Sequence, residues 1–227
     1  MLIQLSSMEH LLEEGLERLT IEYSYTKIEK LLEFAEEIER WNKRFNLVRA
    51  EGKEIITKHI LDSLSVLHVI DEIKEELGED ASILDVGSGA GFPGIPLAVF
   101  LDNTRVFLLE RSEKKVSFLK NAMLLLELKN TRVIKNDLKN LKGRYSIICF
   151  RAFSKIGNSA KYLIRVMQPG GYIVAFKGKY ESVVDEITLI DDIFMYNEVL
   201  QVNVPFLNSE RHIVVSTGLL KRIGNCE

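Results

Sequence analysis

The chain has two cysteines, four prolines and one tryptophan among its 227 residues. Cys149 lies inside an apolar run and Cys226 beside the last residue. Two cysteines so placed make no disulfide framework, and a reducing cytoplasm is the expected setting. There is no run of 18 apolar residues, so no membrane span is expected. Met1 to Glu14 carries glutamates and lacks the basic start of a secretory signal. The histidines His10, His59, His68 and His212 show no ligand spacing, and neither cysteine is paired with one, so no metal is expected. Long Pro/Gly/Ser linkers, internal repeats and low-complexity tracts are also missing.

Apolar residues make up 46 % of the chain, enough to bury a sizeable core. The net charge of −3 hides an asymmetry. Residues 1–40 hold ten acids and four bases. Residues 129–144 hold six bases (Lys129, Arg132, Lys135, Lys139, Lys142, Arg144) and one acid, Asp137. Residues 41–59 hold five bases and two acids. A polyanion would choose these two stretches over the N-terminal region, although a charge run is also what any solvated face carries.

Residues 8–40 read as helix, with Leu12, Leu16 and Leu19 and then Ile28, Leu31, Leu32, Ala35 and Ile38 at helical spacing. Thr26 is the expected N-cap of the later part, with Glu29 as its capping-box partner. Residues 54–77 read as further helix ending near Gly78. The polar run 78–80 is the expected boundary between a helical extension, 1–78, and a second part, 79–227, packed together as one globular unit. Beyond it strands and helices alternate. Strands are expected at 82–86, 105–110, 131–135, 146–150 and 172–177, and helices at 112–127 and 154–167. Near-continuous apolar strands separated by helices imply a parallel sheet covered on both faces. Two last strands, 194–204 and 212–217, are expected to run antiparallel to each other.

The strongest chemical signal is the segment from Ile83 to Gly91, in which a buried strand runs into Gly87, Gly89 and Gly91. Glycines there let a ligand approach the backbone at the carboxyl end of the first strand. Pro93 and Pro96 suit the first turn of a following helix. The Gly-x-Gly-x-Gly spacing is not a clean dinucleotide fingerprint, and Asp85 just before the loop would repel a pyrophosphate. Asp85 suits instead the cationic methionine end of S-adenosylmethionine. Glu110, nineteen residues after Gly91, closes the second strand, where an acid can accept from both ribose hydroxyls. Methyl transfer from a sulfonium needs alignment more than a covalent nucleophile or a metal.

Six segments together resemble the glucose-inhibited division protein B family, the small-subunit ribosomal RNA guanine-N7 methyltransferases. They are 41–47 (WNKRFNL), 58–63 (KHILDS), 85–96 (DVGSGAGFPGIP), 151–153 (RAF), 177–178 (KG) and 210–212 (ERH). The resemblance implies an α/β fold, a Rossmann-like S-adenosylmethionine-dependent methyltransferase sheet with a helical N-terminal extension. It implies methyl transfer to N7 of one guanine of small-subunit ribosomal RNA, as RNA or as ribosomal particle; a cytoplasmic monomer is expected. Cofactor contacts implied are Gly87, Phe92, Asp137, Leu138 and Arg151, which join Asp85, Gly89, Gly91 and Glu110 expected from the loop and the second strand. Where the family usually has a glutamate after Leu138, this chain has Lys139, which removes one carboxylate contact.

Arg151, Lys177, Arg211 and His59 are the candidate substrate contacts, Arg151 being the candidate for positioning substrate or cofactor. Arg151 is expected at the end of the fourth strand, beside Gly87 across the crevice. His59 and Asp62, at i and i+3, are placed to bond each other. Trp41 reads as an anchor between the two parts, Asn42 and Asn46 as loop holders or RNA contacts, and Phe153 as a base stacker or a core residue. A small-molecule methyltransferase and a non-catalytic RNA-binding module are the alternatives. The first would turn over without ribosomal RNA; the second would bind S-adenosylmethionine weakly or not at all.

Overall fold

A computed structural model describes residues 2–151, 156–188 and 190–219. Helix α1 (Leu2–Arg18) buries Met8, Leu12 and Leu16 on one face. A break at 19–24 separates it from α2 (Tyr25–Phe45). The cap of α2 is Ser24, not Thr26. Ser24 has the extended backbone a cap needs and its hydroxyl accepts the Lys27 N–H at 3.4 Å, whereas Thr26 is already inside the first turn. The helix ends at Asn46, whose left-handed φ of 46° is the usual stop signal. Asn42 is a loop holder: its amide bonds the carbonyls of Val48 and Ala50 and accepts the Val48 N–H.

Residues 53–77 are helical but segmented. A short α3 (Lys53–Ile55) runs into a π-helical turn, Ile56–Ile60, then α4 (Leu61–Leu64) and α5 (Leu67–Leu77). Gly78 ends the run with a φ of 85°.

The sheet has seven strands in the order β3-β2-β1-β4-β5-β7-β6. β1 (Ser82–Val86), β2 (Arg105–Glu110) and β3 (Thr131–Lys135) keep the expected bounds. β4 (Tyr145–Arg151) and β5 (Met167–Lys177) are longer than expected. β6 (Phe194–Gln201) stops three residues before the expected 204, and β7 (His212–Leu219) lies antiparallel to it and to β5. The connections carry α6 (Gly94–Phe100), α7 (Glu113–Leu125), α8 (Ile156–Val166) and α9 (Tyr180–Thr188).

Strand pleat sorts the core into two layers. Ile83, Ile147, Cys149 and Val174 face the N-terminal helices, α6 and α7. Leu84, Ile148, Ile173 and Ala175 face α8 and α9. The N-terminal helices therefore share one core with the sheet. Phe34 of α2 lies 5.3 Å from Phe92 and 6.2 Å from Phe118 of α7, ring centre to ring centre. Trp41 anchors the same joint, packing on Phe118 and donating its indole N–H to the buried carboxylate of Glu37 at 2.7 Å. No helix among the described residues is long and apolar enough to cross a membrane. The order of strands reverses between β1 and β4. Ligands of such sheets bind in the crevice outside the carboxyl ends at that point.

Candidate active site at the carboxyl ends of the strands

The loop after β1 turns through three glycines with left-handed φ, Gly87 at 73°, Gly89 at 59° and Gly91 at 90°. Their roles differ. A Cβ on Gly91 would lie 2.6 Å from Ile95 and 3.1 Å from Phe34, so Gly91 faces the core. A Cβ on Gly89 would meet nothing nearer than 3.6 Å, so its face is open. The N–H groups of Gly87 and Ser88 both bond the Leu109 carbonyl of β2, at 2.9 and 3.1 Å, which pins the loop to the neighbouring strand.

Glu110 ends β2 directly beside this loop. Its carboxylate accepts N–H groups of Gly89 (3.0 Å), Arg111 (2.9 Å) and Ser112 (2.8 Å) and is 7 % exposed. A cavity of about 380 Å³ opens over it, lined by Gly87, Glu110, Asp137, Leu138 and, from α8, Asn158, Ser159 and Tyr162. That size suits a nucleoside-like ligand. Asp137 caps the 3-10 turn Leu138–Asn140 by accepting the Lys139 N–H at 2.9 Å, and Arg111 sits 3.6 Å from its carboxylate. The α8 residues gave no signal in the sequence. They line the cavity because a helix following β4 starts at the carboxyl edge of the sheet.

Asp85 lies elsewhere than expected. It is wholly buried under the loop, with Oδ2 accepting the Gly94 N–H at 3.1 Å and Oδ1 without a partner among the described residues. Burial pushes its carboxyl up to about 7, against the lowering effect of the Ser88 and Gly94 hydrogen bonds and the Arg151 charge. Asp85 thus supports the start of α6 rather than lining the cavity.

Arg151 leaves the end of β4 on the side of the N-terminal helices. It donates to the Lys58 carbonyl (3.2 Å), to Asp62 Oδ2 (2.7 Å) and to His59 Nδ1 (2.5 Å), and its guanidinium lies 5.3 Å from the Phe92 ring centre. The Lys58 carbonyl sits in the π-helical turn, where the i→i+4 pattern is broken; such turns recur at functional sites. His59 stacks on Phe92 at 5.0 Å with 22° between the rings. Arg211 Nε donates to the other oxygen of Asp62 at 2.9 Å. His59 and Asp62 do not bond each other, because both are turned to Arg151. Asp62, 2 % exposed, is the hub that residue-by-residue reading missed. Its signal was the spacing to His59, read as a pair rather than as two ligands of one arginine. Arg151 is not among the residues lining the 380 Å³ cavity; its guanidinium packs on Phe92.

Lys177 also departs from expectation. Its ammonium bonds Glu186 of α9 at 2.6 Å, and the pair is 12 % and 9 % exposed. In the parallel register Arg151 stands opposite Phe176, so Lys177 falls on the other face of the sheet. The two candidate cations are therefore separated by the pleat. Phe153 and Cys226 lie outside the described residues.

A Cβ-free opening, a carboxylate at the end of β2 and a nucleoside-sized cavity at the switch point fit the adenosine part of S-adenosylmethionine. Among the described residues no cluster of His, Cys, Asp and Glu is suited to a metal ion. The fold resembles solved S-adenosylmethionine-dependent enzymes. An O-methyltransferase of Thermotoga maritima superposes with TM-score 0.59 at 15 % identity, covering 83 % of this chain and 72 % of that one. A methyltransferase of Aquifex aeolicus does so with 0.55 at 19 %, covering 81 % and 98 %. In sequence, the ribosomal RNA small subunit methyltransferase G of Borrelia garinii subsp. bavariensis is 36 % identical over 197 residues, covering 86 % of this chain and 92 % of that protein. The family model for rRNA small subunit methyltransferase G (GidB) matches residues 27–214, and the chain belongs to that family.

Proposed function

We propose that the chain methylates N7 of one guanine in small-subunit ribosomal RNA, using S-adenosylmethionine, as a monomer in the cytoplasm. The observation that carries the reading is the juxtaposition at the switch point. The glycine loop and Glu110 frame a nucleoside-sized cavity, and Phe92 of the same loop packs on Arg151 and His59 of the cluster that also holds Asp62 and Arg211. When bound, the cofactor supplies an electrophilic methyl group on a sulfonium sulfur. Glu110 is the residue to accept ribose hydroxyls, and Leu138 and Tyr162 offer apolar surface to the adenine. Guanine N7 carries a lone pair at neutral pH, so no general base is required. The chain's work is orientation: holding the base edge and excluding misaligned approaches. The two arginines give the cluster planar donors for an RNA acceptor, and the shared Asp62 offsets part of their charge. Asp137 and Leu138 remain cofactor contacts in this reading, and Arg211 and His59 substrate contacts.

The test is mapping of N7-methylguanine in small-subunit RNA from cells with and without the protein, together with single-turnover methylation by wild type, Arg151→Ala and Arg151→Lys. Loss of one N7-methylguanine, strong slowing by Arg151→Ala and poor rescue by lysine are expected. A point charge does not replace the fork that spans His59 and Asp62. An unchanged RNA would refute the reading.

A further inference from the structure

An arginine side chain has donors only. The contact of Arg151 with His59 Nδ1, at 2.5 Å, therefore requires a lone pair on Nδ1. The imidazole is neutral and carries its proton on Nε2. Three surroundings hold it so. Arg151, Lys58 and Arg211 set positive charge around it, with Asp62 as the carboxylate facing Arg151 and Arg211. Phe92 covers one ring face. The π-helical turn fixes the backbone, and Ser63 Oγ donates to the His59 carbonyl at 2.6 Å. Burial first, and then these cations, push the imidazole down to about 3. Nε2 has no partner among the described residues, is not among their buried polar atoms, and belongs to a side chain that is only partly covered. An unpartnered N–H that is not fully buried is thus left beside Phe92.

We infer that His59 is the residue that orients the target base, donating Nε2–H to the O6 oxygen of guanine so that the adjacent N7 is presented to the methyl group. This rests on the guanine-N7 reading above. A neutral donor suits the chemistry better than a cation. The base gains positive charge as N7 accepts the methyl group, and an imidazolium at O6 would oppose that charge. Arg151 acts through His59 as a positioning residue: it sets which nitrogen carries the proton.

The experiment has three arms on the full chain. First, nitrogen-15 NMR of labelled histidines, with His59 assigned by its loss in His59→Asn, is expected to show Nε2 protonated and Nδ1 bare from pH 5 to 8. An Nδ1–H tautomer or an imidazolium in that range overturns the inference. Second, single-turnover methylation of small-subunit RNA compares wild type, His59→Asn and His59→Gln. Asparagine keeps an acceptor near Nδ1 for Arg151 and has nothing at Nε2; glutamine reaches the Nε2 position with a donor. We expect His59→Asn to slow the step by about tenfold or more at saturating RNA, the scale of one orienting hydrogen bond, and His59→Gln, which restores a donor but not the Nδ1 acceptor, to recover only part of that loss. RNA affinity, set by phosphate contacts, stays within about twofold. Third, RNA carrying 2-aminopurine at the target lacks O6, and on it the penalty of His59→Asn is expected to vanish. A penalty that persists there overturns the O6 assignment. Loss of S-adenosylmethionine affinity in His59→Asn moves the donor to the cofactor and also overturns it. Wild type that methylates N7 while His59→Asn runs at full rate sinks this inference alone. Wild type that methylates no ribosomal guanine sinks the function reading with it.

Discussion

Removing Asp62 should unsettle both halves of the site at once. The carboxylate is 3 % exposed and divides its oxygens between Arg151 at 2.7 Å and Arg211 at 2.9 Å. In Asp62→Ala both guanidiniums lose their counter-charge while still largely buried, with side-chain exposures of 19 % and 27 %. Breaking a buried pair from one side costs about 3–5 kcal/mol. Partial solvation of the arginines reduces that to about 2–4 kcal/mol. For a chain of this length the melting temperature then falls by about 4–16 °C. Arg151→Ala should cost less, since Asp62 keeps Arg211. Removing Asp62 and Arg151 together should recover part of the loss, as no pair of uncompensated cations remains. The assay is calorimetric or denaturant unfolding of wild type, both single variants and the double variant, at low and at 1 M salt. Buried pairs are weakly screened, so the ordering should survive high salt. An Asp62→Ala protein that melts within about 1 °C of wild type would refute the argument that the cluster is held by this carboxylate.

Asp85→Asn should stabilise the protein at alkaline pH. The unfolded carboxyl ionises near 3.8 and the folded one near 7, so the wild type loses stability as pH rises through that window and stays flat above it. The loss is on the order of 4 kcal/mol. The variant, which keeps an acceptor for the Gly94 N–H, should melt above wild type at pH 8 and converge with it near pH 4; a gap independent of pH would refute this. Glu110→Ala should weaken S-adenosylmethionine binding by about 1–3 kcal/mol in calorimetry. Unchanged affinity would give the acid a purely local job on the Gly89, Arg111 and Ser112 amides. Arg132, Lys139 and Lys142 are exposed, whereas Lys135 pairs with Glu113. Each of the first three that meets a phosphate should reduce the slope of log RNA affinity against log salt by about 0.7–0.9 when neutralised. Neutralising Lys135 should do less, and an unchanged slope in the triple variant would move the RNA face to 41–59.

The sequence alone determined the elements whose signal is local. β1, β2 and β3 were legible to the residue: β1 and β2 as near-continuous apolar runs bounded by polar turns, and the half-exposed edge strand β3 by its β-branched Thr131, Val133 and Ile134. The glycine loop and the acid at the end of β2 were legible for the same reason: their spacing along the chain is their chemistry. Boundaries set by distant partners were not. β5 begins at Met167 because its first residues meet β4 at Tyr145, and β6 ends at Gln201 where its pairing with His212 ends. Only the tertiary structure decided how the polar candidates are shared out. The pleat and the β4–β5 register send Arg151 toward the N-terminal helices and Lys177 toward Glu186. Residues 62, 151 and 211 meet although the sequence separates them by 89 and 60 positions. A carboxylate can bind two arginines only where three elements close on one point, and no spacing along a chain records that. Asp85 makes the same point: its place before the glycines reads as ligand-facing, while strand alternation turns it under the loop and leaves it in the core.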